Sequence, residues 1–214
     1  MEIIGTGFFV TTCGTMVTAA HVAREWTEGS ALLAIHQEFD GPGVVCRQIV
    51  QAILHPAADV ALVRLETQKS TTTKRLLRNA IMKLSLEVPP TGSPVACWGY
   101  PQSILLPPNW QFDGFSVLLE RGEGQGLVEE YFPNGRDLAM QPGECVQTSM
   151  NTMGGASGGP VFNERGEVFA VVSSGMGEHT TYVAPIRDLA LARIFRVEGP
   201  KGTRLNLIEY SSRY

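Results

Sequence analysis

The sequence contains no run near the roughly 20 consecutive apolar residues that cross a bilayer as a helix, so a membrane is not expected as its setting. Its opening, Met1-Glu2-Ile3-Ile4-Gly5-Thr6-Gly7, lacks the basic, apolar and small-residue regions of a secretory leader. A cytoplasmic location is the expectation. Excess positive charge is missing as well: 17 Lys and Arg stand against 21 Asp and Glu, a net charge of -4. Nucleic acids and anionic membrane surfaces reward clustered cations, and neither is expected as a partner. The four cysteines, Cys13, Cys46, Cys97 and Cys145, lie far apart with no Cys-x-x-Cys pair. That spacing supplies no metal site and indicates no disulfide framework. Free, mostly buried thiols are expected, and no metal or organic cofactor.

What is present suits many short strands. Over 214 residues, 43% are hydrophobic, enough to fill the core of one sizeable domain or of two small ones packed together. The 23 glycines and 13 prolines are dispersed, as turns between strands would require. Strand candidates occur at residues 6–10 and 15–20 around the turn Thr12-Cys13-Gly14, at 30–35, 44–54 and 60–65, which are rich in Val, Ile and Leu, and again at 94–98, 116–120, 126–131, 144–148, 160–162, 168–173 and 180–183. Turn formers such as Asp40-Gly41-Pro42-Gly43 separate them. An all-β barrel or sandwich is expected. Residues 1–66 would form the first β unit, 67–92 a connection, 93–184 the second unit and 185–214 a helix and tail. Within the connection, Leu76 to Leu84 could be a short helix or an irregular crossing. Asp188 to Arg196 has helical spacing of its apolar residues.

A serine hydroxyl becomes a strong nucleophile only when a base removes its proton, and the base needs an orienting carboxylate. Of the four histidines, His21 follows Thr18-Ala19-Ala20, where small alanines leave room beside the ring. It is the best base candidate. His36 and His55 lie in or beside strands with no such approach and are read as structural, while His179 sits in a turn near the projected cleft. Asp59 precedes the apolar run Val60 to Leu65, and a carboxylate carried into such a setting requires a partner. Asp40, Asp113, Asp137 and Asp188 stand among turn or helix-start residues, where local capping accounts for them. In Gly155-Ala156-Ser157-Gly158-Gly159-Pro160 the glycines permit unusual dihedrals. The N–H groups of Gly155 and Ser157 could then converge on a developing oxyanion.

In the order His, Asp, Ser, the three segments Thr18-Ala19-Ala20-His21, Asp59 to Leu65 and Gly155 to Pro160 together resemble the chymotrypsin/trypsin-like serine peptidases. Gly5 to Val10 and Gly166 to Gly175 look like the bacterial HtrA-like and glutamyl-endopeptidase-like branches. The resemblance spans about Gly5 to Leu189. It implies two six-stranded antiparallel β-barrels with a short C-terminal helix, and a site in the cleft between them. His21 and Asp59 would come from the first barrel, and Ser157 from the second. By the same likeness Ser173, Ser174 and Gly175 match the edge that pairs with an extended substrate. Asn151 and Thr152 match the floor and wall of the primary specificity pocket, with Thr180 and Thr181 opposite and His179 within reach of substrate.

Ala156 stands where digestive members of the family carry an aspartate that pairs with a newly cut N-terminus, so zymogen activation of that kind is not expected. The resemblance implies an endopeptidase acting on polypeptides through an acyl-enzyme, either constitutive or idle until a partner protein or an oligomer orders its loops. A catalytically silent module that binds peptides or proteins is the alternative. With no aspartate at the pocket floor, small or uncharged side chains are the favoured substrates, with an acid preference assisted by His179 next.

Overall fold

A computed structural model describes residues 2–26, 31–39, 41, 43–70, 73–106, 116–177, 179–191, 197–198 and 204–211. The chain folds as β structure in two units, the all-β arrangement that the sequence implies. Strands β1 (Gly7–Phe9), β2 (Thr15–Thr18), β3 (Leu33–Gln37), β4 (Val44–Leu54) and β5 (Ala61–Leu65) form a curled sheet in the order β1-β2-β5-β4-β3. Of the six strands expected there, five occur among the described residues. The second unit is a closed six-stranded barrel in the order β10-β13-β12-β11-β6-β9. Its strands are β6 (Pro94–Gly99), β9 (Gly122–Phe132), β10 (Cys145–Thr148), β11 (Pro160–Phe162), β12 (Val168–Gly175) and β13 (Thr181–Pro185). A hairpin of β7 (Ile104–Leu106) and β8 (Ser116–Leu118) projects between β6 and β9; of these two, β7 is not among the strand runs read from sequence.

Alternation of side chains decides which face each strand buries. In β2 all four residues are buried, and in β5 only Arg64 faces out, so both strands are covered on two sides. Phe8, Val10, Val17, Val60 and Leu62 from the first unit share one core with Val168, Val171, Ala184 and Ile186 from the second. That common core locks the two units together and fixes the cleft between them. The connection is an irregular crossing stitched to both sides. Asn79 N–H donates to the Thr12 carbonyl at 3.2 Å, Met82 N–H to that of Phe9 at 3.1 Å, and Val168 N–H to that of Lys83 at 2.8 Å.

The C-terminal part supplies helix α2 (Arg187–Leu191), a short pair of strands β14 (Val197–Glu198) and β15 (Arg204–Leu205), and helix α3 (Leu207–Ser211). Leu189 and Leu207 insert into the shared core. The part of the expected helix from residue 192 to 196 lies outside the described residues, as do Asp40 and Asp113. All four cysteines are free, and Cys97 and Cys145 are buried. Burial pushes both of these thiols up to about 11. Among the described residues no helix is long and apolar enough to cross a membrane.

Candidate active site

His21 lies on a single helical turn, α1 (Ala20–Arg24). Strand β2 stops at Thr18 because Ala19 stays extended while the next residues coil. Ala19 and Ala20 are fully buried where the turn lies against the sheet. The imidazole is 44% exposed and opens to the cleft.

Asp59 is delivered by the loop ahead of β5, and His55 organises that loop. Its Nδ1 accepts the Ala58 N–H at 2.8 Å and the Ala57 N–H at 3.3 Å. Nε2 stands 3.6 Å from the Asp188 carboxylate. The structural role expected of His55 is therefore to shape the approach to Asp59. His36 makes a bond to the Gln37 carbonyl at 2.9 Å and an edge contact with Phe9.

The Asp59 carboxylate grips His21 twice. One oxygen accepts the His21 backbone N–H at 2.9 Å, and the other faces Nδ1 at 2.8 Å. Since a carboxylate only accepts, Nδ1 carries a proton, and Nε2 is the ring nitrogen left without a protein partner among the described residues. Ser173 Oγ donates to the same Asp59 oxygen at 2.6 Å. Burial works to raise the Asp59 pKa, but the hydrogen bonds from His21 and Ser173 outweigh it and hold the carboxyl below its ordinary value.

Ser157 sits in two consecutive tight turns. Ala156 N–H donates to the Met153 carbonyl at 3.1 Å, and Gly159 N–H to that of Ala156 at 2.8 Å. The third residue of each turn, Gly155 and Gly158, has φ of 89° and 83°, the signature of type II turns that glycine alone adopts without strain. Among the described residues, neither the Gly155 nor the Ser157 N–H has a protein acceptor. The Ser157 hydroxyl donates to the Ser173 carbonyl at 3.4 Å. No hydrogen bond joins it to His21 among the described residues. Ser173 thus stands between the two halves, its side chain on Asp59 and its carbonyl on Ser157.

Beyond Ser173, strand β12 pairs with β13, but its register with β11 ends at Val171. Among the described residues no strand pairs with Ser173 to Gly175 on that side. Thr152 Oγ1 lies 2.9 Å from Thr181 Oγ1, and Thr181 donates its proton to the Met150 carbonyl at 2.8 Å. Thr181, fully buried, therefore anchors the 150–152 segment from behind. Thr180 accepts the Met176 N–H through its carbonyl. Asn151 and His179 are exposed, and Ser174 and Thr152 are half-buried.

Two participants carry no clear sequence signal. Thr6 is buried beneath the Ser157 turns: its Oγ1 donates to the Gly155 carbonyl at 2.8 Å, and its N–H donates to that of Ser157 at 2.8 Å. The same hydroxyl accepts the Tyr100 N–H at 3.1 Å, and the Thr6 carbonyl accepts Thr18 Oγ1 at 2.7 Å. Gln141, on the segment between β9 and β10, reaches Ser173 and Ser174.

The sequence matches the trypsin-like peptidase domain family over residues 5–171, and the chain belongs to that family. No curated protein sequence matches it. Solved structures similar in fold include Deg5, at 21% identity and TM-score 0.58, covering 86% of this chain and 78% of that one. The MamO protease domain from Magnetospirillum magneticum, in its apo form, is 16% identical with TM-score 0.60, covering 86% and 85%. Rv3671c from M. tuberculosis H37Rv, solved as an inactive serine-to-alanine mutant, is 19% identical with TM-score 0.51, covering 85% and 75%.

Proposed function

We propose that this trypsin-like peptidase domain is a serine endopeptidase in which Ser157 attacks the peptide carbonyl and His21 takes and returns the proton. The observation that carries the reading is the double grip of Asp59 on His21, which fixes the ring through Nδ1 and leaves Nε2 as the nitrogen free to take a proton, together with a serine held in glycine turns. Asp59 stabilises the imidazolium formed as the Ser157 proton moves to Nε2. The Gly155 and Ser157 N–H groups hold the oxyanion, and departure of the amine leaves an acyl-enzyme that water hydrolyses. An extended substrate adds as a strand to the open edge at Ser173 to Gly175. Asn151 and Thr152 offer the first pocket polar but uncharged groups, which suits small or uncharged side chains. Ala156 presents a buried methyl beside the nucleophile, so no amino terminus can form an ion pair there. Control falls instead on the two turns around Ser157, where an activating protein or a second copy of the chain could act.

Digestion of a peptide library read by mass spectrometry tests this. Wild-type protein should cleave at a restricted set of bonds, and Ser157→Ala should cleave none; equal cleavage by both would show that the peptidase reading is wrong. A silent peptide-binding module would bind library members without cleaving them.

A further inference from the structure

We infer that Gln141 is a positioning residue of this site: its amide sets the direction of the Ser173 hydroxyl, and through it holds the Asp59 carboxylate on His21. This rests on the reading of Ser157, His21 and Asp59 given above. Gln141 is 4% exposed. Its carbonyl accepts the Arg136 N–H at 2.9 Å and the Asp137 N–H at 3.3 Å, so the segment between β9 and β10 closes upon it. The side chain then crosses to β12, with Nε2 2.8 Å from Ser174 Oγ and 3.4 Å from Ser173 Oγ.

Proton counting fixes which end of the amide faces Ser173. The Ser173 hydroxyl has one proton, and at 2.6 Å from Asp59 that proton goes to the carboxylate, which can only accept. Ser173 Oγ can therefore only accept from Gln141, and the NH2 end must face it. One amide hydrogen serves Ser173 and the other Ser174. The result is a directed chain from Gln141 through Ser173 to Asp59, which also receives both donors of His21. A chain whose dipoles point one way strengthens each member in a low-dielectric cleft.

The same segment is braced at its other end against the Asp59 loop. A Cβ on Gly143 would collide with the backbone of Ala57 and Ala58, so glycine alone permits that approach. Residues 135–143 thus touch both the loop that delivers Asp59 and the strand edge expected to receive substrate.

Two substitutions separate positioning from space filling. Gln141→Met keeps the length of the side chain and removes its donors. Gln141→Glu keeps the shape but offers acceptors only, competing with Asp59 for the Ser173 proton. Fluorophosphonate labelling of Ser157 should slow about tenfold in Gln141→Met and further in Gln141→Glu, with peptide hydrolysis losing kcat rather than gaining KM. The far-downfield proton resonance of His21 Nδ1–H should shift or broaden in both. Wild-type labelling rate and an unmoved resonance in a folded Gln141→Met protein would overturn the inference. Should the buried carboxylate of Gln141→Glu prevent folding, Gln141→Met decides alone. If wild-type protein takes no label, the catalytic reading falls, while the His21 resonance still decides whether Gln141 holds the Asp59 bond.

Discussion

The hydroxyl of Ser157 is bonded to the carbonyl of Ser173, 3.4 Å away, while the hydroxyl of Ser173 is bonded to Asp59 at 2.6 Å. One residue thereby occupies the proposed nucleophile with its backbone and the proposed orienting carboxylate with its side chain. In the proposed reaction the Ser157 side chain would have to leave that long, weak bond and turn toward His21.

Asp59→Asn should leave the fold intact and lower kcat by about four orders of magnitude, because an amide facing His21 no longer favours the proton on Nδ1. Stability should change with pH in a defined direction. A carboxyl held below its ordinary value stabilises the fold above its unfolded pKa of about 4, and that contribution disappears as pH falls through the lower folded value. Thermal melts across pH 2 to 7 should show a shallower acid decline for Asp59→Asn than for wild type.

Removing the Thr6 hydroxyl while keeping its shape isolates its hold on the Ser157 turns. Thr6→Val leaves the Gly155 carbonyl and the Tyr100 N–H without their partner. A loss of about 2 kcal/mol is expected, seen as a melting temperature roughly 4–8 °C lower, with slower turnover as the turns loosen.

Gly155→Ala places a methyl at φ 89° and about 3.0 Å from Pro101 Cα. The strain is about 1–2 kcal/mol, and relieving it would turn the Gly155 N–H away from the proposed oxyanion position. Peptide hydrolysis should fall about 100-fold with little change in substrate binding, which the separate fits of kcat and KM would show.

Away from the cleft, Glu167 takes Lys83 Nζ at 2.8 Å and Arg165 Nε at 2.8 Å, and these bonds hold its carboxyl down to about 2. Lys83 belongs to the crossing between the units and Glu167 to the β11–β12 hairpin. The pair therefore ties the crossing to the second barrel. Its contribution exists above the unfolded pKa of roughly 4.3 and vanishes as pH falls through the folded value. Glu167→Gln should melt roughly 2–4 °C below wild type at pH 7, with the gap shrinking toward pH 2 and closing below it.

The residues most legible in the sequence are those whose demands are local. Glycines around Ser157 announce unusual dihedrals, and a carboxylate before an apolar strand announces a need for a partner, so Ser157 and Asp59 could be singled out without a fold. The role of His55 was legible only as structural; its grip on Ala57 and Ala58 needed coordinates. Thr6 and Gln141 were silent because their bonds join residues 149 and 32 positions apart in the chain, and neither residue type is unusual where it stands. Strand β7 escaped for another reason: Ile104 and Leu106 face outward and Leu105 is half-buried, so the hairpin has no burial pattern to betray it.

The central claim is that Ser157 is a nucleophile activated by His21. Treating native protein with a serine-directed fluorophosphonate and mapping the adduct by mass spectrometry tests it most directly. A single adduct on Ser157, abolished by Ser157→Ala and reduced at least a hundredfold in rate by His21→Ala, is the predicted result. An adduct spread over other hydroxyls, or labelling of Ser157 that is indifferent to His21, would contradict it.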